Sequence, residues 1–415
     1  MRIPPTRDGS GGSQRAWFLL QALCRLGPVH FVLISRRTDR DSQTVSLKPI
    51  EPMVESVTKI DIPEWQPTGR RQIGPLDGRW IDVATMRSQE APRIPAAGLE
   101  RIAAQLPTRA PGILFAGRLP SAVIMQALID RGLLKAEFRF VDFDDIMSKF
   151  QERQLRTEAQ MMDRQGRLLL RFDAAYIRAA EKRIALGWNG VSVCTDEDTE
   201  TLRATYPSAR VVKIPNVMER DLLPPRQEDG RLNLLFVGNL GFLPNIQGLK
   251  AFMQEAWPAI RSGLPDARLT IVGLNPAPEI VRLSEEQGVA LHRNVPEVQP
   301  FYRDSDIVLV PILIGSGTRI KILEAMAHGR AIVTTAMGAE GLDLVHGRHA
   351  MVVEDMAGFA GAVIALARDP GARRRMVEEA RAFQQERFGP GVMNAAVASA
   401  LDQPMPARNA PGQAA

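Results

Sequence analysis

The segment from Asp306 to Gly341, DIVLVPILIGSGTRIKILEAMAHGRAIVTTAMGAEG, constrains this chain more than any other. Ile307 to Val310 is a short apolar run rich in β-branched residues, the pattern of a strand buried on both faces. Pro311 ends it, and Gly315, Ser316 and Gly317 supply a turn of small residues. From Thr318 to His328 the spacing becomes helical, with Ile320, Leu323 and Ala327 on one face. Gly329 stops that helix, and Ala331 to Thr335 reads as the next strand. Strand, glycine turn, helix, strand is the repeating unit of a parallel α/β sheet.

Two residues in this unit break a local rule. Arg319 and Lys321 sit in the first turn of the helix, where the positive end of the dipole disfavours cations by about 0.3–1 kcal/mol each. An anion docked on the turn would reverse that cost, since free backbone N–H groups, glycines and two cations together suit a phosphate. The competing reading sends both side chains into solvent and pairs Lys321 with Glu324.

At 415 residues the chain is long enough for two or three domains, and 45% hydrophobic with 24% charged residues is ordinary for a globular protein. No apolar run reaches spanning length and no secretory signal is present, so a cytoplasmic protein is the default expectation. Cys24 and Cys194 read as core residues and offer no disulfide framework or metal motif. A net charge of +5 suits anionic substrates or a membrane surface, and three tyrosines with no RNA-type aromatic motif speak against nucleic acid.

The chain begins with PPTRDGSGGSQR after Met1 to Ile3. Gly12 or Ser13 is placed to cap a helix through about Leu26, and Val29 to Ile34 reads as a strand. A glycine turn opening a helix and then a strand lacks the strand that should precede it. Either the start is placed too late, the favoured reading, or this domain has no inner strand. Residues 39–97 read as loop except for a strand near Ser56 to Ile62. Strands follow at Gly112 to Ala116 and Phe138 to Phe143, with a helix from Pro120 to Leu134 between them. Asp142, Asp144 and Asp145 cluster at the carboxyl end of the second, where open sheets place ligands. They could bind a metal, orient a sugar hydroxyl, act as a base, or cap the next helix.

Ser148 to about Leu186 reads as two helices broken near Gly166, with Leu168, Leu169, Phe172, Ala175 and Tyr176 on a buried face. Its many charges are a solvated face or a basic face toward lipid phosphate. Strand, helix and strand then run to Ile214. Pro215, Asn216 and Val217, with LLPPRQEDGR, form a connector and the expected domain boundary. Beyond it the alternation restarts: strands at Leu232 to Val237, Ala267 to Val272 and Val289 to His292 precede the Asp306 to Gly341 unit. A strand near His349 to Val353 and three helices follow, and the final QPMPARNAPGQAA is read as a disordered tail.

The segment GSGTRIKILEAMAHGRAIVTTAMGAEGLD resembles the donor-site region of GT-B glycosyltransferases of family 4, also called group 1. FVGNLGFLPN, LTIVG, VPEVQPFYRDSDIVLVP and IPNV are similar to the same family in the same order. VDFDDIMSKF and the helical stretch after it resemble bacterial sugar transferases of exopolysaccharide synthesis. The resemblance implies an α/β fold of two Rossmann-like, doubly wound parallel-sheet domains facing a cleft. It makes 1–214, joined by the helix 391–401, the acceptor-side domain and 215–390 the donor-binding domain, with 402–415 as tail. It implies retaining transfer from a nucleotide-diphosphate sugar to a glycan or lipid-linked acceptor, with no obligatory metal or other cofactor. The protein would be cytoplasmic, with peripheral contact at the inner membrane face as a further partner. Glu324 matches the glutamate that holds the donor ribose. Gly317, Thr318 and Arg319, beside Ser316 and Lys321, match the turn meeting the diphosphate. Gly238 and Asn239 match the turn beneath the phosphates, and Gly11 and Gly12, with Ser13, the N-terminal loop. Two departures stand out: Ser316 replaces the first glutamate of the family's Glu-x7-Glu, and Asn239 and Asn245 occupy the region where Arg and Lys are usual. Two rivals are an epimerase or phosphorylase on the same fold, with Asp142 and Asp144 as the carboxylate pair an epimerase would want, and a non-catalytic nucleotide-sugar-binding protein.

Overall fold

The computed structural model describes residues 4–35, 46–62, 92, 94–158, 164–227, 229–314 and 319–402. Their contacts form two compact units. Unit one is drawn from Met1–Thr6, Ala16–Pro215 and Met393–Ala415, and unit two from Arg7–Arg15 and Asn216–Val392.

The chain enters through α1 (Gly11–Cys24). The side chain of Ser10 accepts from the amide of Ser13, so the cap falls earlier than the expected Gly12 or Ser13. Next come β1 (His30–Ser35) and β2 (Ser56–Asp61), paired in parallel. The helix α2 (Ala96–Gln105) was not expected, because proline- and arginine-rich sequence precedes it; Leu99, Ile102 and Ala103 anchor it. Then follow β3 (Ile113–Gly117), α3 (Leu119–Asp130), β4 (Phe138–Asp144), α4 (Met147–Glu158) and α5 (Arg164–Gly187). They are completed by β5 (Gly190–Val193), α6 (Asp196–Thr205) and β6 (Val211–Lys213).

The described strands of unit one fall into two sheets where one is expected. Among the described residues, β1–β2 form one parallel sheet and β3-β4-β5-β6 another. No described strand precedes α1. Both sheets nevertheless feed one core, in which Ile34 and Ile60 join Ala116, Val141, Phe143, Val191 and Val193. The long helical stretch turns a different face inward than its spacing suggested. Leu168 is 40% and Phe172 52% exposed, while Ala174, Ile177, Ile184 and Trp188 are buried. Packing on α3 and α4 selects that face, and Gly166 lies inside α5. Cys24, expected in the core, is only half-buried, while Cys194 is buried.

Unit two opens with β7 (Asn233–Asn239) and α7 (Leu243–Ala251). Phe252–Ala256 widens into a π-helical turn that runs straight into α8 (Trp257–Gly263). Beyond it lie β8 (Arg268–Leu274), α9 (Pro278–Leu283), β9 (Val289–Arg293), α10 (Gln299–Arg303) and β10 (Ile307–Val310). Then come α11 (Ile320–Ala327), β11 (Ala331–Thr335), α12 (Ala336–Ala339), β12 (Met351–Val353), α13 (Met356–Arg368) and α14 (Pro370–Phe388). The six strands form one parallel sheet in the order β12-β11-β10-β7-β8-β9. Alternation along the strands supplies a core on each face. Leu234, Phe236, Ile307 and Leu309 point to one, and Leu235, Val237, Val308 and Val310 to the other. Burial on both faces explains why these strands read as unbroken apolar runs. The last helix, α15 (Pro390–Asp402), returns to unit one, where Arg210 donates to the carbonyl of Ala400 at 2.8 Å. No described helix is long and apolar enough to cross a membrane.

Candidate functional site

In unit two the polar groups gather at the carboxyl ends of β7 and β10. Arg319 occupies the cap position of α11, and Lys321 lies in its first turn. Lys321 neither bends into solvent nor pairs with Glu324. Its Nζ donates to Asn245 Oδ1 at 2.8 Å and lies 4.2 Å from the centroid of the Phe236 ring. Asn245 is itself oriented, because its Nδ2 donates to the carbonyl of Asn239 at 2.8 Å. Asn239 Oδ1 accepts from the amide of Gly241 at 3.0 Å, which shapes the turn after β7. Gly238 lies directly over this pair. A Cβ there would come within 2.9 Å of Asn245 Nδ2 and 3.0 Å of Lys321 Nζ, so a glycine is required for the close approach.

Burial, and then the neighbouring Arg319, push the Lys321 ammonium down to about 7. No carboxylate among the described residues offsets that shift. A cation held by a neutral amide beside a second cation is costly until an anion arrives. The turn at Ser316, Gly317 and Thr318, together with Gly315, lies outside the described residues.

Glu324 is buried inside α11 and faces a different set of groups. Its Oε1 accepts from Arg220 Nε at 3.3 Å and Nη2 at 3.2 Å, and its Oε2 accepts from Tyr302 OH at 3.1 Å. Burial pushes its carboxyl up, while Arg220 and Tyr302 hold it down. Burial, and then the Glu324 charge, put the Tyr302 hydroxyl well above its usual range. Sequence reasoning missed Arg220 and Tyr302, which lie 104 and 22 residues from Glu324 with no local motif to mark them.

The N-terminal loop belongs to this unit as well. Gly11 abuts α11, where an added Cβ would lie 2.9 Å from Ile320 Cγ1. Gly12 lies in the first turn of α1, and Ser13 Oγ is 3.1 Å from Ser10 Oγ. Asn216 Oδ1 accepts from Arg15 Nη1 at 2.9 Å, with both residues buried.

The aspartates of β4 lie in unit one. Asp142 is buried and accepts from Ser192 Oγ at 2.7 Å. Asp144 is ion-paired with Arg118, and both adopt positive φ, +65° and +69° respectively. Asp145 Oδ1 lies 3.8 Å from Cys194 Sγ. Asp144, Asp145 and Cys194 each place a ligand atom within 4.8 Å of the others, but the Arg118 pair already engages Asp144. The Ser148 amide in the first turn of α4 goes to Glu181 at 3.1 Å.

Residues 231–369 match the family model described as Glycosyl transferases group 1. An uncharacterized 44.6 kDa protein of the Klebsiella pneumoniae cps region is 30% identical over 164 residues, 38% of this chain. That match spans 42% of the relative's length. Among solved structures, sucrose-phosphate synthase of Thermosynechococcus elongatus superposes with a TM-score of 0.65 at 15% identity, over 96% of this chain and 94% of the other. HepE of Anabaena, solved with UDP and glucose, gives 0.61 at 13% identity over 96% and 98%. By fold the chain is similar to GT-B proteins, and its residues 231–369 match the group 1 glycosyltransferase family model.

Proposed function

We propose that the protein is a retaining glycosyltransferase that moves a sugar from a nucleotide-diphosphate sugar to a glycan or lipid-linked acceptor in cell-surface or exopolysaccharide synthesis. The observation that carries this reading is the Lys321 ammonium under the Gly238 turn, with a neutral asparagine and no carboxylate as its described partner. Such a seat is completed by a phosphate oxygen. As the bond from the anomeric carbon to the diphosphate oxygen breaks, its electron pair stays on the diphosphate. Lys321 and Arg319 then stabilise the growing charge more than the ground state. Glu324 holds the ribose, and the acceptor hydroxyl attacks on the face the diphosphate leaves, without an obligatory metal. In this reading 215–390 binds the nucleotide sugar and 1–214, with helix 391–401, serves the acceptor.

The UDP and glucose bound to HepE and the cps-region setting of the Klebsiella relative support this choice. The epimerase alternative is weakened because Asp142 and Asp144 are engaged by Ser192 and Arg118. We place the protein in the cytoplasm, without nucleic-acid partners. Peripheral contact with the inner membrane face would run through exposed Leu168 and Phe172 on the arginine-rich α5. The test is a panel of UDP- and GDP-sugars with glycan and polyprenol-linked acceptors, following nucleoside diphosphate release and product configuration by NMR. Transfer with the donor's anomeric configuration is expected. A free epimer, or tight nucleotide binding with no release across the panel, would refute the proposal.

A further inference from the structure

The Arg220 guanidinium joins three segments that are remote in sequence. It comes from the connector after Asn216, and its side chain is 7% exposed. Nη1 donates to the carbonyl of Glu219 at 3.0 Å. Nη2 donates to the carbonyl of Arg7 at 2.8 Å and lies 3.4 Å from Asp8 Oδ1. The same Nη2, with Nε, holds Glu324 Oε1. One planar group thus binds the N-terminal loop on one side and the α11 carboxylate on the other.

Two further contacts fasten that loop within unit two. Arg15 donates to Asn216, and Gly11 abuts Ile320, one residue before Lys321. Inside the loop, Gln14 Nε2 donates to the carbonyl of Gly9 at 2.9 Å. Among the described residues Glu324 hydrogen-bonds to Arg220 and Tyr302, and its link to residues 7–15 passes through Arg220. A buried carboxylate needs a partner of this kind to stay charged, and a planar fork also fixes where it points.

We propose that Arg220 is a positioning residue. It couples the seating of Arg7–Arg15 to the charge and orientation of Glu324, and so sets how tightly the nucleotide sugar is held. The coupling is a property of the free protein. Its consequence for the nucleotide sugar rests on the reading of Glu324 as the ribose ligand.

The first measurement uses no ligand. Amide hydrogen exchange across residues 7–15 is compared in the full-length chain and in Arg220→Met, Arg220→Lys and Glu324→Gln. Arg220→Met should raise exchange in that loop about tenfold or more, with Arg220→Lys intermediate. Glu324→Gln should raise it too, although Glu324 does not bond to the loop; a purely structural Arg220 would not transmit that change. Unchanged exchange in Glu324→Gln overturns the coupling, and so does unchanged exchange in Arg220→Met. Should Arg220→Met fail to fold, the isosteric Glu324→Gln and the charge-conserving Arg220→Lys decide.

The second measurement is the KM for whichever of UDP-glucose and GDP-mannose is turned over. Arg220→Met should raise KM at least tenfold and lower kcat by less. Raised loop exchange with an unchanged KM in both Arg220→Met and Glu324→Gln would leave the link standing. It would overturn the positioning role and the ribose assignment together, so the two failures are told apart.

Discussion

The two units solve the same problem in opposite ways. Both place charged side chains at the carboxyl ends of parallel strands. In unit one Asp144 is balanced by Arg118, while Asp142 accepts a hydrogen bond from the Ser192 hydroxyl. In unit two the described partners of Lys321 are a neutral amide and the Phe236 ring, and a second cation, Arg319, lies close by. A charge neutralised from within marks a structural end of a sheet. On the proposed reading, a cation without a described counter-charge is the binding end.

The largest expected effect comes from removing the visitor's partner. Lys321→Met should lower transfer by about a hundredfold, the order expected for losing one group that stabilises leaving-group charge. The fold should survive, because a buried ammonium without a carboxylate opposes folding more than a thioether does. Initial rates and a denaturant midpoint that does not fall would together check this. Loss of the fold instead would place Lys321 with the structural charges of unit one.

Asn245→Asp should make unit two behave like unit one. A carboxylate on Lys321 would compete with phosphate and weaken nucleoside diphosphate binding by about tenfold or more. Titration calorimetry measures it, and tighter binding would break the contrast.

In unit one, Asp144→Asn leaves the Arg118 guanidinium without its counter-charge. A cost of about 2 kcal/mol is expected for this partly exposed pair, read from urea unfolding, with nucleotide affinity unchanged. A shifted nucleotide affinity would show the two regions to be coupled.

The smallest effect is in pH. The Lys321 ammonium of the free protein titrates at about 7 and should be raised when a diphosphate arrives. Binding therefore takes up a proton. Affinity should be flat below about pH 7 and fall by up to tenfold per pH unit above it. Lys321→Met should remove that slope, whereas a slope that persists would assign the proton elsewhere.

Most strands of unit two could be read directly from the chain. Ile307–Val310 and Ala331–Thr335 fall where their apolar runs place them, and Gly329 ends α11 with φ +71°. These are local signals, since a run buried on both faces needs no knowledge of its neighbours. Helix faces were harder. Leu168 and Phe172 have the spacing of a core stripe, yet packing on α3 and α4 turns Ile177 and Ile184 inward instead. The grouping of unit one's described strands into two sheets was likewise not in the pattern.

The amino-acid order by itself determined the α/β class, the glycine turns and the two misplaced cations of α11, because each depends on residues a few positions apart. Only the tertiary structure decided what those cations meet. Asn245 lies 76 residues from Lys321, and Arg220 reaches Glu324 across 104 residues and Arg7 across 213. Whether a charge is compensated is a property of the space around it. That space is assembled by strands and helices packing from distant parts of the chain.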